Sequence, residues 1–513
     1  MKRVKWILSS VLILTLVMGL LAGCGGSSDS SDEEKDSLVF SINADIVTMD
    51  CHFARDTVTS LVHYQVYDML IYNEGDNELE PGLAESWEFN DNNTEITFKI
   101  REDVLFHNGD MMTAEDVAFS LNRAIESPFT ASYTGTMDRA EVVDDTHVRL
   151  YMKQAFGPVI QCLSVPCLGI VSKRAVEEMG DEGFAAAPVG TGAYKFVSWR
   201  SGEKIVLEAF DDYYKGEPAI KDVTFSIMTN KSTAAIALDN KEVDVLYAPA
   251  VEDQDYLDGL DHIQVLTSEG SVYMWVIAFN NTSNLFSNEK LREAISYAIN
   301  RNEIVEGALD GKGEAVEMPI VPSLFGYDPS FKNNEYDLDK AKALLAEAGY
   351  PDGLKMTMKL NQSSTYTQPA EIVQSQLRKI GIDVQFELME RAAFLADVTT
   401  DADYDVTLFM FTAGYLDPDY VLYGRMHSSN IGSTNYCNYS NPDVDRMLDQ
   451  ARSSSDEEER ADLYYRISEH VRDEAPFIPL MTDNCCIAAD SKLSGVKANS
   501  KEAHIVFNYN WEI

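Results

Sequence analysis

The chain has 513 residues, 45% of them apolar, enough for two or three ordinary domains with large cores. It carries 84 acidic against 41 basic side chains, a formal net charge of −43. A surface so acidic repels phosphate backbones, which excludes nucleic acid as a partner.

The first predicted element is an export signal. Lys2, Arg3 and Lys5 form a basic head, and residues 7–22 follow with only Ser9, Ser10, Thr15 and Gly19 interrupting the apolar side chains. The run falls short of the ~20 residues a spanning helix needs and ends in small residues, as a cleaved signal does. It closes on Leu21-Ala22-Gly23-Cys24, a lipidation signal that puts cleavage before Cys24 and acyl chains on that cysteine. Residues 1–23 are thus expected to be a lipoprotein signal peptide, and residues 24–37 (CGGSSDSSDEEKDS) a disordered acidic Gly/Ser tether. No second long apolar run follows, so a soluble body anchored to the membrane through Cys24 is expected.

Residues 94–100 alternate, with Ile96, Phe98 and Ile100 on one face, and read as a half-buried strand. Thr113-Ala-Glu-Asp116 is a capping-box pattern opening a helix whose apolar face is Val117, Leu121, Ala124 and Ile125; Pro128 bars its continuation. Residues 147–152 form another predicted strand, and 194–199 with 204–210 a hairpin around Arg200-Ser-Gly-Glu203. Beyond about residue 285 the rhythm changes. Leu291, Ala294, Ile295, Ala298 and Ile299 make one helical stripe; Ala341, Leu344, Leu345 and Ala348 make another, ended by Gly349 and Pro351. A strand over 354–360, a helix through Ile372, Val373, Gln376, Leu377 and Ile380, and strands over 382–388 and 404–411 complete a β-α-β order that predicts a layered α/β lobe. Two lobes of different style imply a crevice between them.

Enzyme patterns fail on context. Ser201-Gly-Glu-Lys204 and Ser287-Asn-Glu-Lys290 match S-x-x-K, but one sits in a hairpin turn, the other at a helix start, and no partner motif exists. Gly190-Thr-Gly192 lacks the third glycine and following helix of a dinucleotide loop. The eight histidines are scattered, none three or four residues from another, and no cysteine spacing marks a zinc site. Asp403/Asp405 and Asp417/Asp419 read as solvated loop charges rather than acid–base pairs. Cys51, Cys162, Cys167, Cys437, Cys485 and Cys486 fit either disulfides or buried thiols. No catalytic residue, cofactor or metal is expected.

Seven segments in order carry a resemblance: 113–125 (TAEDVAFSLNRAI), 188–197 (PVGTGAYKFV), 208–221 (EAFDDYYKGEPAIK), 291–303 (LREAISYAINRNE), 336–352 (YDLDKAKALLAEAGYPD), 381–387 (GIDVQFE) and 416–420 (LDPDY). Together they resemble the extracellular solute-binding proteins of ABC importers, family 5, which includes oligopeptide-, dipeptide- and nickel-binding lipoproteins. The resemblance implies an α/β, two-lobe periplasmic-binding-protein-like clamp of type II, in the large class with an extra subdomain. Lobe I would comprise 38–269 plus 482–513, with 71–187 as the subdomain, and lobe II 270–481. Hinge strands would lie near 268–273 and 480–485.

The implied function is capture of short peptides by a monomer that delivers them to ABC permease subunits. By local alignment the ligand's backbone would lie between Arg55-Asp56-Thr57 and Met410-Phe411-Thr412, a form of strand addition. Tyr133, Tyr273, Trp275 and Tyr415 are aromatic wall candidates. Peptide-binding relatives often place an aspartate three or four residues before the D-P of the 416–420 segment, for the ligand's amino terminus; here Gly414 stands there. Either Asp417 or Asp56 substitutes, or the ligand is not a free peptide but a nickel chelate, opine or other solute. For nickel, His427 is the candidate. An exported hydrolase is the alternative of another class.

Overall fold

The structure, a computed structural model, describes residues 36–73, 79–268, 270–499 and 509–512. The signal peptide, Cys24 and the tether up to residue 35 lie outside the described residues, as do 500–508 and 513 of the returning tail.

Two large sheets organise the chain. One has seven strands in the spatial order Ile263–Ser268, Cys485–Asp490, Val245–Tyr247, Ser37–Ile42, Asp222–Ile227, Lys204–Ala209, Tyr194–Arg200. Its last two strands are the predicted hairpin, paired from Tyr194↔Ala209 to Arg200↔Lys204. The other has six, in the order Gly313–Ala315, Phe477–Asp483, Tyr273–Phe279, Val406–Thr412, Leu354–Asn361, Ile382–Met389. Among the described residues, two stretches carry the chain between these sheets: from Ile263–Ser268 into Tyr273–Phe279, and from Phe477–Asp483 into Cys485–Asp490.

The six-stranded sheet is covered on both faces. Met274, Val276 and Ala278 enter one core cluster with Phe411 and Leu422, while Trp275, Ile277 and Phe279 enter another with Leu291, Ala294 and Ile295. That explains the unbroken apolar run of Tyr273–Phe279, since a strand buried on both sides has no polar face to show. The parallel pair Leu354–Asn361 and Ile382–Met389 is joined by the helix Ser364–Arg378, the expected β-α-β unit.

A four-stranded antiparallel sheet (Ala84–Phe89, Glu95–Ile100, His147–Met152, Met137–Asp144) forms a separate layer within the first half of the chain. Ile96, Phe98 and Ile100 are buried beneath it, and the helix Ala114–Glu126 covers it with Val117, Leu121 and Ala124. That helix opens with both reciprocal bonds of the capping box, Thr113 with Asp116. The six cysteines among the described residues are free thiols, five of them buried.

Candidate functional site

The site lies where the two large sheets approach each other. Asp56 caps the helix Thr57–Val66, its carboxylate accepting from the Thr59 N–H at 3.0 Å, and this fixes residues 55–57 at the entrance. Thr57 Oγ1 and the Tyr273 hydroxyl share a hydrogen bond of 3.1 Å, tying that helix to the first strand of the six-stranded sheet. Arg55 donates from Nη1 to Ser132 Oγ at 2.7 Å. A turn, Pro166–Leu168, closes one side.

The cleft measures about 140 Å³ and is lined by Arg55, Thr57, Ser60, Tyr133, Val165, Pro166, Cys167, Val272, Tyr273, Thr412, Ala413, Gly414 and Tyr420. It therefore gathers Arg55, Thr57, Tyr133, Tyr273, Thr412 and Gly414 from the residues named from sequence. Val165, Pro166, Cys167, Ala413 and Tyr420 come as additions. Tyr420 stood within the 416–420 segment, but nothing in its spacing marked it as a wall.

Other sequence candidates sit elsewhere. Trp275 is 4% exposed, with its indole N–H directed at the Thr365 carbonyl. Phe411 is core, and Met410 packs against the core on the opposite face. Tyr415 is buried in the core of the four-stranded layer and borders a neighbouring crevice. His427 stacks on Tyr423 at 4.4 Å and bonds Ser429 through Nδ1, outside the cleft lining.

The reading of Asp417 and Asp419 as solvated charges is corrected. Both are buried, at 2% and 1% exposure. Asp417 accepts from Arg460 Nη2 at 2.6 and 2.7 Å and from the Tyr464 hydroxyl at 3.2 Å. Asp419 takes a two-point pair from Arg452, at 2.9 and 2.7 Å, and a bond from the Tyr415 hydroxyl at 2.6 Å. Burial alone would lower the pKa of both guanidiniums, yet the facing carboxylates hold them above their ordinary value. These pairs pin the loop that presents Ala413 and Gly414. Asp417 is thereby committed, and freeing it for a ligand would strand a buried arginine at ~3–5 kcal/mol.

Gly414 has a steric reason. A Cβ there would lie 2.6 Å from the Tyr420 ring, so Tyr420 fills the space a side chain would need. The Tyr420 ring in turn packs 6.3 Å from Tyr133 and 5.1 Å from Tyr415. The lining thus has one cation, Arg55, no carboxylate and three tyrosine rings.

Beside the cleft, the strand Val406–Thr412 has an edge to offer. It pairs along its length with Tyr273–Phe279, but with Leu354–Asn361 only at Met358↔Val406 and Lys359↔Thr407. Past Thr407 that side of the ladder has no partner strand among the described residues.

A cleft between two sheets joined by two crossings is the architecture of a two-lobe solute-binding clamp. The description "Bacterial extracellular solute-binding proteins, family 5 Middle" matches residues 78–433. The chain belongs to that family. It is 30% identical over 499 residues to the glutathione-binding protein GsiB of Escherichia coli, covering 95% of each chain, and 29% identical over 446 residues to the heme-binding protein A of Haemophilus influenzae, covering 81% of each. The solved structure of the ABC transporter-associated periplasmic binding protein DppA from Helicobacter pylori, in complex with peptide STSA, superposes with a TM-score of 0.79 at 28% identity, over 93% of this chain and 98% of that one. Family 5 members are solute-binding components of ABC importers, not enzymes.

Proposed function

We propose that this protein captures short peptides or peptide-like solutes in the cleft between its lobes and hands them to ABC importer permease subunits. It acts as a monomer held by acyl chains on Cys24 at the outer face of the cytoplasmic membrane. Lobe I (38–269 with 482–513) and lobe II (270–481) are the jaws, and the two inter-sheet crossings are the hinge. Solute touches both jaws and so favours the closed arrangement by its differential affinity.

The observation that carries the peptide reading is the edge of the strand Val406–Thr412, unpaired past Thr407 among the described residues and leading into Thr412, Ala413 and Gly414 of the cleft wall. An extended peptide can add to that edge through its own backbone, gaining affinity without side-chain selection. Arg55 faces the ligand's carboxylate end. Calorimetry with di- to hexapeptides, free and C-terminally amidated, tests this: free peptides bind one-to-one and amidation weakens them about tenfold. Failure of every peptide to bind overturns it.

A second reading, a carboxylate-bearing solute such as a nickel chelate or an opine, is favoured by the missing acid: Tyr420 fills the place of a side chain at Gly414, and no carboxylate lines the cleft. Native mass spectrometry of protein purified without denaturation separates the two. A heterogeneous set of trapped peptides supports the first, and one non-peptide mass the second.

A further inference from the structure

Tyr133 also lines a second crevice of about 330 Å³, together with Ala131, Ser132, Gly135, Thr136, Lys153, Gln154, Phe156, Tyr415 and Arg452. It is larger than the cleft, shares the Tyr133 ring with it, and borders Ser132, the acceptor of the Arg55 guanidinium. Its walls come from separate parts of the chain: residues 131–136 and 153–156 flank strands of the four-stranded layer, Tyr415 follows the strand Val406–Thr412, and Arg452 lies on the helix Pro442–Ser453.

Its charge is unusual for this chain. Acidic residues outnumber basic ones 84 to 41, yet no carboxylate lines either chamber. Arg452 is already matched by Asp419. Lys153 has only the Gly135 carbonyl, at 3.0 Å, and Arg55 only Ser132; neither meets a carboxylate among the described residues. Amid a repelling field, two cations without acids line crevices that share Tyr133, Arg55 in the cleft and Lys153 in the second, the latter with the hydroxyls of Ser132 and Thr136 and the amide of Gln154. An anion held there would gain charge-assisted bonds that bulk electrostatics elsewhere on the surface would deny it.

We propose that this crevice is a second subsite, and that it takes an anionic side chain of the bound solute, with Lys153 as its charge partner. The preferred cargo is then a solute carrying two carboxylates, one for Arg55 in the cleft and one for Lys153 in this crevice. This rests on the peptide-capture reading above and names the solute class within it.

The test is calorimetry with tripeptides carrying glutamate at each position in turn, each paired with its glutamine counterpart. At one position glutamate should bind at least tenfold tighter than glutamine. Lys153→Met should remove that advantage while leaving the glutamine peptide's affinity unchanged, and Lys153→Glu should turn it into a preference for glutamine. Lys153 is exposed, so both variants should fold. Equal affinities for glutamate and glutamine at every position, or an advantage that survives Lys153→Met, overturn the subsite while peptide capture stands. Absence of binding by every tripeptide overturns both.

Discussion

Tyr273 and Thr57 make the smallest device in the cleft, one hydroxyl pair joining the two lobes. Tyr273→Phe keeps the ring and deletes the bond, so solute affinity should fall roughly three- to tenfold, the equivalent of one ordinary hydrogen bond, with little change in thermal stability. Calorimetry beside a melting curve checks both halves. The ion pairs of the 413–419 loop predict the opposite pattern. Arg460→Ala leaves Asp417 charged and buried, and should cost ~3–5 kcal/mol of stability, seen as a lowered denaturation midpoint whether or not solute is present.

Elements act across the cleft as well. The Gly157 N–H donates to the Arg452 carbonyl at 2.9 Å, and Asn93 Nδ2 donates to Ser455 Oγ at 3.0 Å, so the loop after the strand His147–Met152 and the turn before Glu95–Ile100 rest on the end of the helix Pro442–Ser453. A Cβ on Gly157 would lie 2.0 Å from the Ser454 carbonyl oxygen, with backbone on both sides and no side chain to yield. Gly157→Ala should therefore disfavour closure. Apparent affinity should drop about tenfold for each 1.4 kcal/mol of that penalty, by calorimetry, while the melting curve of the solute-free protein hardly moves.

Legibility from sequence also divides at the element scale. Half-buried elements are readable, because Ile96, Phe98 and Ile100, or Val117, Leu121 and Ala124, show one apolar face against a polar one. The strands Tyr273–Phe279 and Phe477–Asp483 are not, because burial on both faces erases the period; the resemblance marks only hinge strands near 268–273 and 480–485. The pairs that set the site loop are hidden for another reason: Arg452 and Arg460 lie 33 and 43 residues beyond their aspartates, and only tertiary structure joins them. Gly414 stands out in the sequence, but its cause, the Tyr420 ring, is a contact that spacing does not reveal.

For the whole molecule, acid sensitivity follows from three histidines, His52 and His63 fully buried and His107 half-buried. His52, His63 and His107 each set Nε2 against a backbone carbonyl, of Gly169, Thr48 and Gly192, at 3.0, 2.8 and 2.9 Å. Burial pushes each from 6.5 down to about 4. Between those values the unfolded chain binds protons that the fold refuses, so their contribution is intact above about pH 6.5 and is lost as pH falls toward 4. Denaturant titrations from pH 7 to 4.5 should show falling stability, and His63→Gln should flatten that slope by about one proton.

In the proposed mechanism the two lobes close on a solute held between Arg55, Tyr273 and the edge at Thr412. Small-angle X-ray scattering of the mature protein, stripped of trapped solute and then saturated with peptides shown to bind by calorimetry, measures that closure directly. Closure should give a smaller radius of gyration in the saturated protein, with Gly157→Ala shifted toward the larger value. Identical scattering with and without bound peptide would contradict it.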